Sequence, residues 1–254
     1  MSFTGIVLAG SRPSRDAFAE AFGTDLKALI EVGGEAMVRR PVKALLASAS
    51  IGKVLVLGQE PGRLAAVLPD DPRIETRESK GTIAETILEL LSDSSIEWPV
   101  LVTTADHALL DSATVDEFCT ASKGAGIAIG VVERETLIRR FPGAKRTWLR
   151  FRGGAYTGAN LFALASPAVA PAVELWRSVE QDRKKALRIV SILGPHVLVA
   201  VALRLVSLDA VLAQLGARLG LSIRAVRLAN PLAGIDVDKA DDHALAEAII
   251  AGKA

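Results

Sequence analysis

Residues 5–11 read GIVLAGS, a short apolar run that is closed by a glycine and a serine. An apolar run of this length next to a glycine is typical of a buried β-strand that ends in a tight loop. Similar runs occur at residues 53–58, 99–104 and 127–132, and segments with helical spacing separate them. This alternation predicts an α/β protein with a mostly parallel sheet covered by helices on both faces.

The remaining elements follow from the same patterns. The predicted helices span residues 38–49, 61–68, 82–91 and 112–122, the last with Ser112 as its N-cap, and a minor strand covers 73–76. After residue 134 we expect an antiparallel strand at 147–151, a turn at Gly153-Gly154, a partner strand at 160–164, a helix at 171–178, a strand at 223–228 and a final helix from about Asp241.

The composition limits the classes of function. The chain has 254 residues, of which half are hydrophobic, and 30 Lys and Arg stand against 29 Asp and Glu. A disordered chain would combine low hydrophobicity with high net charge, and a general nucleic-acid binder would carry a large basic excess, so both are excluded. We expect residues 1–254 to form a single domain.

Cysteine and histidine are scarce. The single Cys119 excludes an internal disulfide framework. With only three histidines in the chain, a metal site built from histidines is disfavoured. Carboxylates would hold a metal instead, which suits magnesium or calcium. The first ten residues lack the basic region and the length of a secretion signal, so the sequence predicts a cytoplasmic protein.

A late apolar stretch leaves alternatives open. Only 15 residues separate Arg188 from Arg204, whereas a spanning helix needs about 20 apolar residues. One reading is a pair of helices, broken at Gly194-Pro195, that pack in the core or in a homodimer interface. The other is a peripheral membrane contact through residues 183–215, since basic residues at 183–188 would suit anionic lipid heads.

A small-residue loop follows the first strand. Residues 8–15 read LAGSRPSR, and such a loop at the carboxyl end of a parallel strand lets backbone N–H groups approach a phosphate. Lys27 follows the loop and can neutralise charge on a triphosphate. The alternative is an ordinary Gly-Ser-Pro turn.

Together these segments resemble a known signature. LAG at residues 8–10, an arginine a few residues later and KALIEVGGEAM at 27–37 look like the motif L-A-G-G-x-S-x-R-M-G, then D-K-x-L-L-x-V-x-G-x-P-L, of MobA-like NTP transferases. The resemblance implies a GT-A or Rossmann-like fold with three α-β-α layers. It also implies that the nucleotide is cradled by the backbone of Leu8, Ala9, Gly10 and Ser11.

The same resemblance gives Lys27 and an arginine the role of stabilising the phosphates. Ser11 and Pro13 depart from the family pattern, and Arg15 lies 12 positions before Lys27, a longer gap than usual. These departures leave open whether Arg12 or Arg15 is the phosphate-binding arginine.

Aspartates mark two later segments. Asp106 follows the apolar run at 99–104, where a carboxylate at the end of a parallel strand can bind nucleotide and hold Mg²⁺. The stretch TTADHA at 103–108 resembles the family motif T-x-x-D-x-P but has Ala108 in place of the proline, with His107 as a structural residue or an acceptor contact. GIDVDKADD at 234–242 resembles a late family segment, which implies Asp236 as the second metal ligand and Asp238 as the alternative.

Two further segments carry weaker signals. By resemblance, Gly81 and Thr82 contact the nucleobase, although Thr82 could simply cap a helix with Glu85 at capping-box spacing. In relatives a Gly-Asn stretch lines the acceptor pocket, which implies acceptor contacts for Tyr156 and Asn160 within an acceptor region at about 134–215. The basic cluster at 134–152, including Arg152, is either a solvated face or a site for an acceptor phosphate.

The resemblance implies a nucleotidyltransferase. An NTP, with CTP or GTP favoured, would react with a phosphorylated or acidic acceptor in the presence of Mg²⁺ and release pyrophosphate. One alternative is a non-catalytic nucleotide-binding module, which the altered glycine loop favours. Another is a glycosyltransferase, whose D-x-D spacing recurs at Asp236 and Asp238.

Overall fold

The computed structural model describes residues 2–10, 16–79, 81–180 and 194–253. Its strands are β1 (Phe3–Leu8), β2 (Glu31–Val32), β3 (Glu35–Ala36), β4 (Ile51–Gly58), β5 (Ile74–Glu78), β6 (Val100–Thr104), β7 (Ile127–Glu133), β8 (Leu149–Phe151), β9 (Gly154–Leu164) and β10 (Ile223–Arg227). Its α-helices are α1 (Ala17–Ala21), α2 (Arg39–Ala47), α3 (Pro61–Val67), α4 (Ile83–Ser92), α5 (Ser112–Ser122), α6 (Arg134–Arg140), α7 (Ala170–Glu180), α8 (Pro195–Ala202), α9 (Leu208–Leu219) and α10 (Ala240–Ile250). Short 3₁₀ turns span Lys27–Leu29, Pro167–Val169 and Pro231–Gly234.

A mixed sheet of eight strands organises the molecule. Its order is β10-β7-β9-β6-β1-β4-β5, with β8 added to β9. The pairs β1–β4, β4–β5, β1–β6 and β7–β10 are parallel, and β9 runs antiparallel to β6, β7 and β8. The prediction of an α/β fold with a mostly parallel sheet is therefore confirmed.

Both faces of the sheet are apolar, because successive residues of a strand point to opposite sides. On one face, Val7, Val56 and Leu101 pack in one buried cluster with side chains of α2 and α5. On the other, Ile6 and Leu55 join side chains of α4 and α7. The helices thus cover both faces, and aliphatic residues supply most of the core.

The strand order changes direction at β1. The chain proceeds from β1 to β4 and β5 on one side and then crosses to β6 on the other side. At the carboxyl ends, the Ala105 N–H donates to the Leu8 carbonyl at 2.9 Å and the Ala9 N–H donates to the Leu57 carbonyl at 2.7 Å. The loops that follow these strands therefore meet at a topological switch point, where open α/β sheets bind ligands.

Several expected boundaries differ from the structure. The N-cap of α5 is Asp111, whose carboxylate accepts from the Thr114 N–H at 2.8 Å, so the assignment to Ser112 was wrong by one residue. The turn lies at residues 152–153, one position earlier than predicted, and strand β9 begins at Gly154 instead of at residue 160. Helix α6 was not predicted, because its sequence RETLIRR has one fully buried apolar residue, Leu137, and reads as a charged loop.

The late apolar stretch is described in part. Helix α8 begins at the expected Gly194-Pro195 break, and residues 181–193 lie outside the described part of the chain. Val199, Leu203 and Leu205 are more than half exposed, whereas Leu208 and Leu212 of α9 are buried against the sheet. Within the described ranges, no helix has both the length and the apolar character to cross a membrane.

Gly58 allows close packing at the end of β4. A Cβ at this position would lie 2.8 Å from Leu64 Cδ1 and 3.0 Å from the Ala9 carbonyl oxygen, whereas one at Gly62 in α3 would meet nothing within 4 Å. We expect Gly58→Ala to lower the free energy of unfolding by about 1–3 kcal/mol through overpacking. Gly62→Ala should raise it by up to about 1 kcal/mol through helix propensity. Urea denaturation of the two variants measures both effects, and equal midpoints would contradict this packing.

Candidate active site

Lys27 lies at the switch point. It opens the 3₁₀ turn Lys27–Leu29, which is anchored by the buried Ala28 and Ile30. Its Nζ donates to Asp106 Oδ2 at 2.7 Å and also contacts Asp238 Oδ1. Burial alone would lower the pKa of Lys27, but the two carboxylates raise it above its ordinary value, so the ammonium stays charged.

Asp106 joins the loop after β6 to the late segment of the chain. Thr104 Oγ1 donates to Asp106 Oδ1, which orients the carboxylate. The Val237 N–H donates to the Asp106 carbonyl oxygen at 3.0 Å. Because Val237 lies between Asp236 and Asp238 in the chain, this hydrogen bond brings both aspartates close to Asp106.

Asp236 is a half-buried carboxylate among like charges. Burial raises its pKa, and the charges of Asp238 and Asp106 raise it further, while Arg146 opposes the shift. Arg146 Nη1 donates to Asp236 Oδ1 at 2.7 Å and Asn160 Nδ2 donates to Asp236 Oδ2 at 3.4 Å. The structure thus brings together the two aspartates that the sequence named as metal ligands, from positions 130 residues apart.

Asp238, the alternative ligand of the sequence analysis, completes the cluster. Burial would raise its pKa, but the hydrogen bond and the charge of Lys27 hold the pKa below its ordinary value. The Asp238 carboxylate is 58% exposed, which makes it the most accessible partner of Lys27. Lys27, Asp106, Asp236 and Asp238 form what we term the charged cluster.

Asn160 reaches the charged cluster through an irregularity in β9. The register between β7 and β9 shifts between Ile129 and Val131, opposite this residue. Asn160 has a φ of +46°, a left-handed conformation that asparagine tolerates better than most residues. The irregularity turns its amide toward Asp236, as bulges near functional sites commonly do.

The other proposed acceptor residues lie elsewhere. Tyr156 is 4% exposed, and its ring packs with Leu208 and Leu212 of α9 while the Arg227 guanidinium lies 5.4 Å from the ring centroid. Arg152 is exposed in the turn before β9, and its backbone N–H donates to the Val206 carbonyl at 2.8 Å. These contacts favour a packing role for Tyr156 and leave Arg152 on the surface.

The loop residues are placed in part. Leu8 ends β1 at the switch point and Ala9 and Gly10 follow it, whereas the predicted Ser11, Arg12 and Arg15 lie outside the described residues. Gly81 precedes Thr82, which caps α4 in a capping box: the Glu85 N–H donates to Thr82 Oγ1 at 3.3 Å and the Thr82 N–H to Glu85 Oε2 at 2.8 Å. Thr82 therefore does cap the helix, as the alternative interpretation of its sequence expected. Its contact with the nucleobase stays a prediction.

His107 follows Asp106 but points into the core. Its side chain is 1% exposed, and Nδ1 lies 3.2 Å from Thr103 Oγ1. Burial lowers the pKa of His107 to about 4, so the ring is neutral near pH 7. Of the two roles considered from the sequence, the structural one fits this position.

Sequence reasoning missed Arg146 and Asp242 as members of the site. Arg146 lay in the basic cluster at 134–152 and resembled its exposed neighbours, although its side chain is 9% exposed. Asp242 read as one of several acids at a helix start, yet it is buried and lies 3.2 Å from Arg146 Nη2. No periodicity or motif singles out either residue.

The donor set fits a magnesium ion. Mg²⁺ is usually held by one or two carboxylates together with substrate phosphates and waters, not by a full protein cage. Within the described ranges, no group of three or more acidic, histidine or cysteine side chains forms such a cage. Asp106 and Asp236 would supply two hard oxygen ligands, and the charges of Asp238 and Asp106 near Asp236 are ones that a cation would offset.

The fold and the charged cluster define a class of enzyme, the nucleotidyltransferases, in which a lysine and carboxylates face a loop at the switch point of a mixed sheet. Comparison with known families agrees with this class. The chain belongs to the MobA-like NTP transferase family, whose domain matches residues 5–218.

Solved structures share the fold. A hypothetical transferase from Thermus thermophilus is 33% identical, with a TM-score of 0.81 over 96% of this chain and 100% of that one. A 4-diphosphocytidyl-2C-methyl-D-erythritol synthase from Anaerococcus prevotii is 12% identical, with a TM-score of 0.61 over 98% and 96%. CMP:2-keto-3-deoxy-manno-octonic acid synthetase complexed with CTP is also 12% identical, with a TM-score of 0.63 over the whole of both chains. The search of curated proteins gave no match.

Proposed function

We propose that the protein transfers an NMP group from CTP or GTP to a phosphorylated or acidic acceptor, with Mg²⁺, and releases pyrophosphate. The observation that carries this proposal is the contact of Lys27 with Asp106 and Asp238 at the switch point, beside Asp236. A lone structural ion pair would not need two carboxylates on one lysine with a third acid, Asp236, close to both of them. The arrangement instead suits a site that exchanges some of its ionic contacts for a triphosphate and its cation.

The chain's own residues would act mainly by position and charge. An acceptor oxygen attacks the α-phosphorus, and the bond to the pyrophosphate leaving group breaks, so negative charge grows on the α- and β-phosphate oxygens. Lys27 would stabilise this charge by moving a hydrogen bond from the exposed Asp238 to a phosphate oxygen. The backbone of residues 8–10 would hold the phosphates in line.

Asp106 and Asp236 would hold the magnesium ion. When bound, the ion supplies Lewis-acid stabilisation of phosphate oxygens. Thr104 fixes one oxygen of Asp106, and Asn160 and Arg146 fix both oxygens of Asp236. Held in this way, the two carboxylates lose little side-chain freedom when they bind a cation.

The choice of CTP or GTP rests on the family resemblance and on a structural neighbour that was solved with CTP. Among the candidate acceptors, a phosphate or carboxylate fits the exposed cations between residues 134 and 152, such as Arg150 and Arg152. We propose that these cations attract the acceptor to the site by long-range steering.

A pyrophosphate-release screen tests the proposal. Each of the four NTPs is combined with phosphorylated sugars, polyols, sugar acids and lipid phosphates, with Mg²⁺ or with EDTA. We expect release from CTP or GTP with one acceptor class, only with Mg²⁺, and none from Asp106→Ala. Full activity in Asp106→Ala would contradict the site, and tight NTP binding without turnover over the whole panel would favour a non-catalytic binding module.

A further inference from the structure

Arg146 is a buried cation with two carboxylate partners. Its Nη1 donates to Asp236 Oδ1 at 2.7 Å, and its Nη2 donates to the Asp236 carbonyl oxygen at 3.3 Å. The same Nη2 lies 3.2 Å from Asp242 Oδ1. The side chains of Arg146 and Asp242 are only 9% and 8% exposed, so these contacts are made away from bulk water.

We propose that Arg146 is a positioning residue that fixes Asp236 for metal binding, with Asp242 as its anchor. This inference rests on the proposed function, because it assigns Arg146 to the carboxylate that would hold the magnesium ion. The sequence placed this residue in a cluster that could bind an acceptor phosphate, but in the structure both of its terminal nitrogens contact aspartates, Asp236 and Asp242.

Asp242 has the rigidity that an anchor needs. It lies in the first turn of α10, where the helix dipole favours a negative charge. Asp242 Oδ2 also accepts from the Asp238 N–H at 3.4 Å. One buried carboxylate therefore contacts both Arg146 and the backbone N–H of Asp238, the most exposed acid of the charged cluster.

The planar guanidinium explains why an arginine stands here. Its fork reaches a carboxylate oxygen, a carbonyl oxygen and a second carboxylate at once, and a lysine ammonium lacks this fixed geometry. With Asn160 on Asp236 Oδ2, both carboxylate oxygens have a defined direction. Partners of this kind orient metal ligands, and their loss typically lowers metal affinity about 10–100-fold.

Mn²⁺ binding measured by EPR, with CTP or GTP present, tests the inference without requiring turnover. The variants are Arg146→Met, Arg146→Lys, Asp242→Asn and the double variant Arg146→Met/Asp242→Asn. The control is Arg73→Met, which removes a bidentate arginine–aspartate pair with Asp71 at the opposite edge of the sheet. Thermal unfolding of each variant reports on folding.

We expect Arg146→Met to raise the Mn²⁺ dissociation constant about 10–100-fold. Arg146→Lys keeps the positive charge and replaces the methionine variant in the test if that variant does not fold. We expect it to bind Mn²⁺ more weakly than the wild type, because the charge alone does not orient Asp236. The double variant should be no weaker than Arg146→Met, since Asp242 acts through Arg146. Arg73→Met should bind as the wild type does.

The outcomes separate this inference from the proposed function. Mn²⁺ binding by Arg146→Lys or by folded Arg146→Met at the wild-type affinity would contradict the positioning role alone. Additive losses in the double variant would show that Asp242 does not act through Arg146, which also contradicts it. A wild-type protein that binds no Mn²⁺ with either nucleotide would contradict the metal site of the proposed function itself.

Discussion

Lys27→Met is expected to lower kcat by about 10²–10³-fold, the usual cost of removing one donor that stabilises transition-state charge. Methionine keeps a similar apolar stem but cannot neutralise the phosphate oxygens on which charge grows during pyrophosphate release. Because Lys27 contacts two acids of the charged cluster, its loss also removes the ammonium group that pairs with Asp106 and Asp238. The measurement is steady-state pyrophosphate release at saturating NTP and metal.

Lys53→Met is the matched control for this effect. Lys53 is half-exposed and pairs with Glu75 near the opposite edge of the sheet, so its loss should leave kcat within about twofold, as for most surface ion pairs. Circular dichroism of both variants confirms that they are folded. If Lys27→Met retains the wild-type kcat, the lysine does not stabilise the reaction.

Asp106→Asn is expected to lower kcat by about 10³-fold, because a ligand that holds the metal supplies several kcal/mol of charge stabilisation. The amide preserves the size of the side chain and can still accept the hydrogen bond from Thr104. It removes the charge that pairs with Lys27 and would hold magnesium. The measurements are pyrophosphate release and Mn²⁺ affinity on the same preparation.

The control here is Asp71→Asn, at a half-buried aspartate that pairs with Arg73. We expect it to change neither kcat nor Mn²⁺ affinity. Were Asp106→Asn to lose turnover while it keeps Mn²⁺ affinity, Asp106 would act on the nucleotide or on Lys27 instead of on the metal.

The sheet could be predicted because its central strands, such as β1 and β6, are buried on both faces. The apolar runs at 53–58 and 99–104 have no competing interpretation at their length, and the structure forms β4 and β6 there. Helix α6 could not be predicted, since its stability comes from packing of Leu137 and from the turn Pro231–Gly234, neither of which its own sequence reveals. Helix α6 is therefore stabilised by tertiary contacts and not by the helix propensity of its own sequence.

Some residues of the candidate site could likewise be predicted from the sequence, and others could not. Asp106 could be expected from its place after a strand end, and Asp236 from a resemblance to family segments. Arg146 and Asp242 could not, because they become partners only when residues 96 positions apart meet in the fold. The direction of the Asn160 side chain depends on an irregularity between β7 and β9, which the sequence does not encode locally.

The most direct test of nucleotidyl transfer is ³¹P NMR of the products from the best NTP and acceptor of the screen. We expect inorganic pyrophosphate and, in equal amount, a new signal from the nucleotide α-phosphate joined to the acceptor. Formation of NDP with a phosphorylated acceptor, or of NMP and pyrophosphate with the acceptor unchanged, would contradict this expectation.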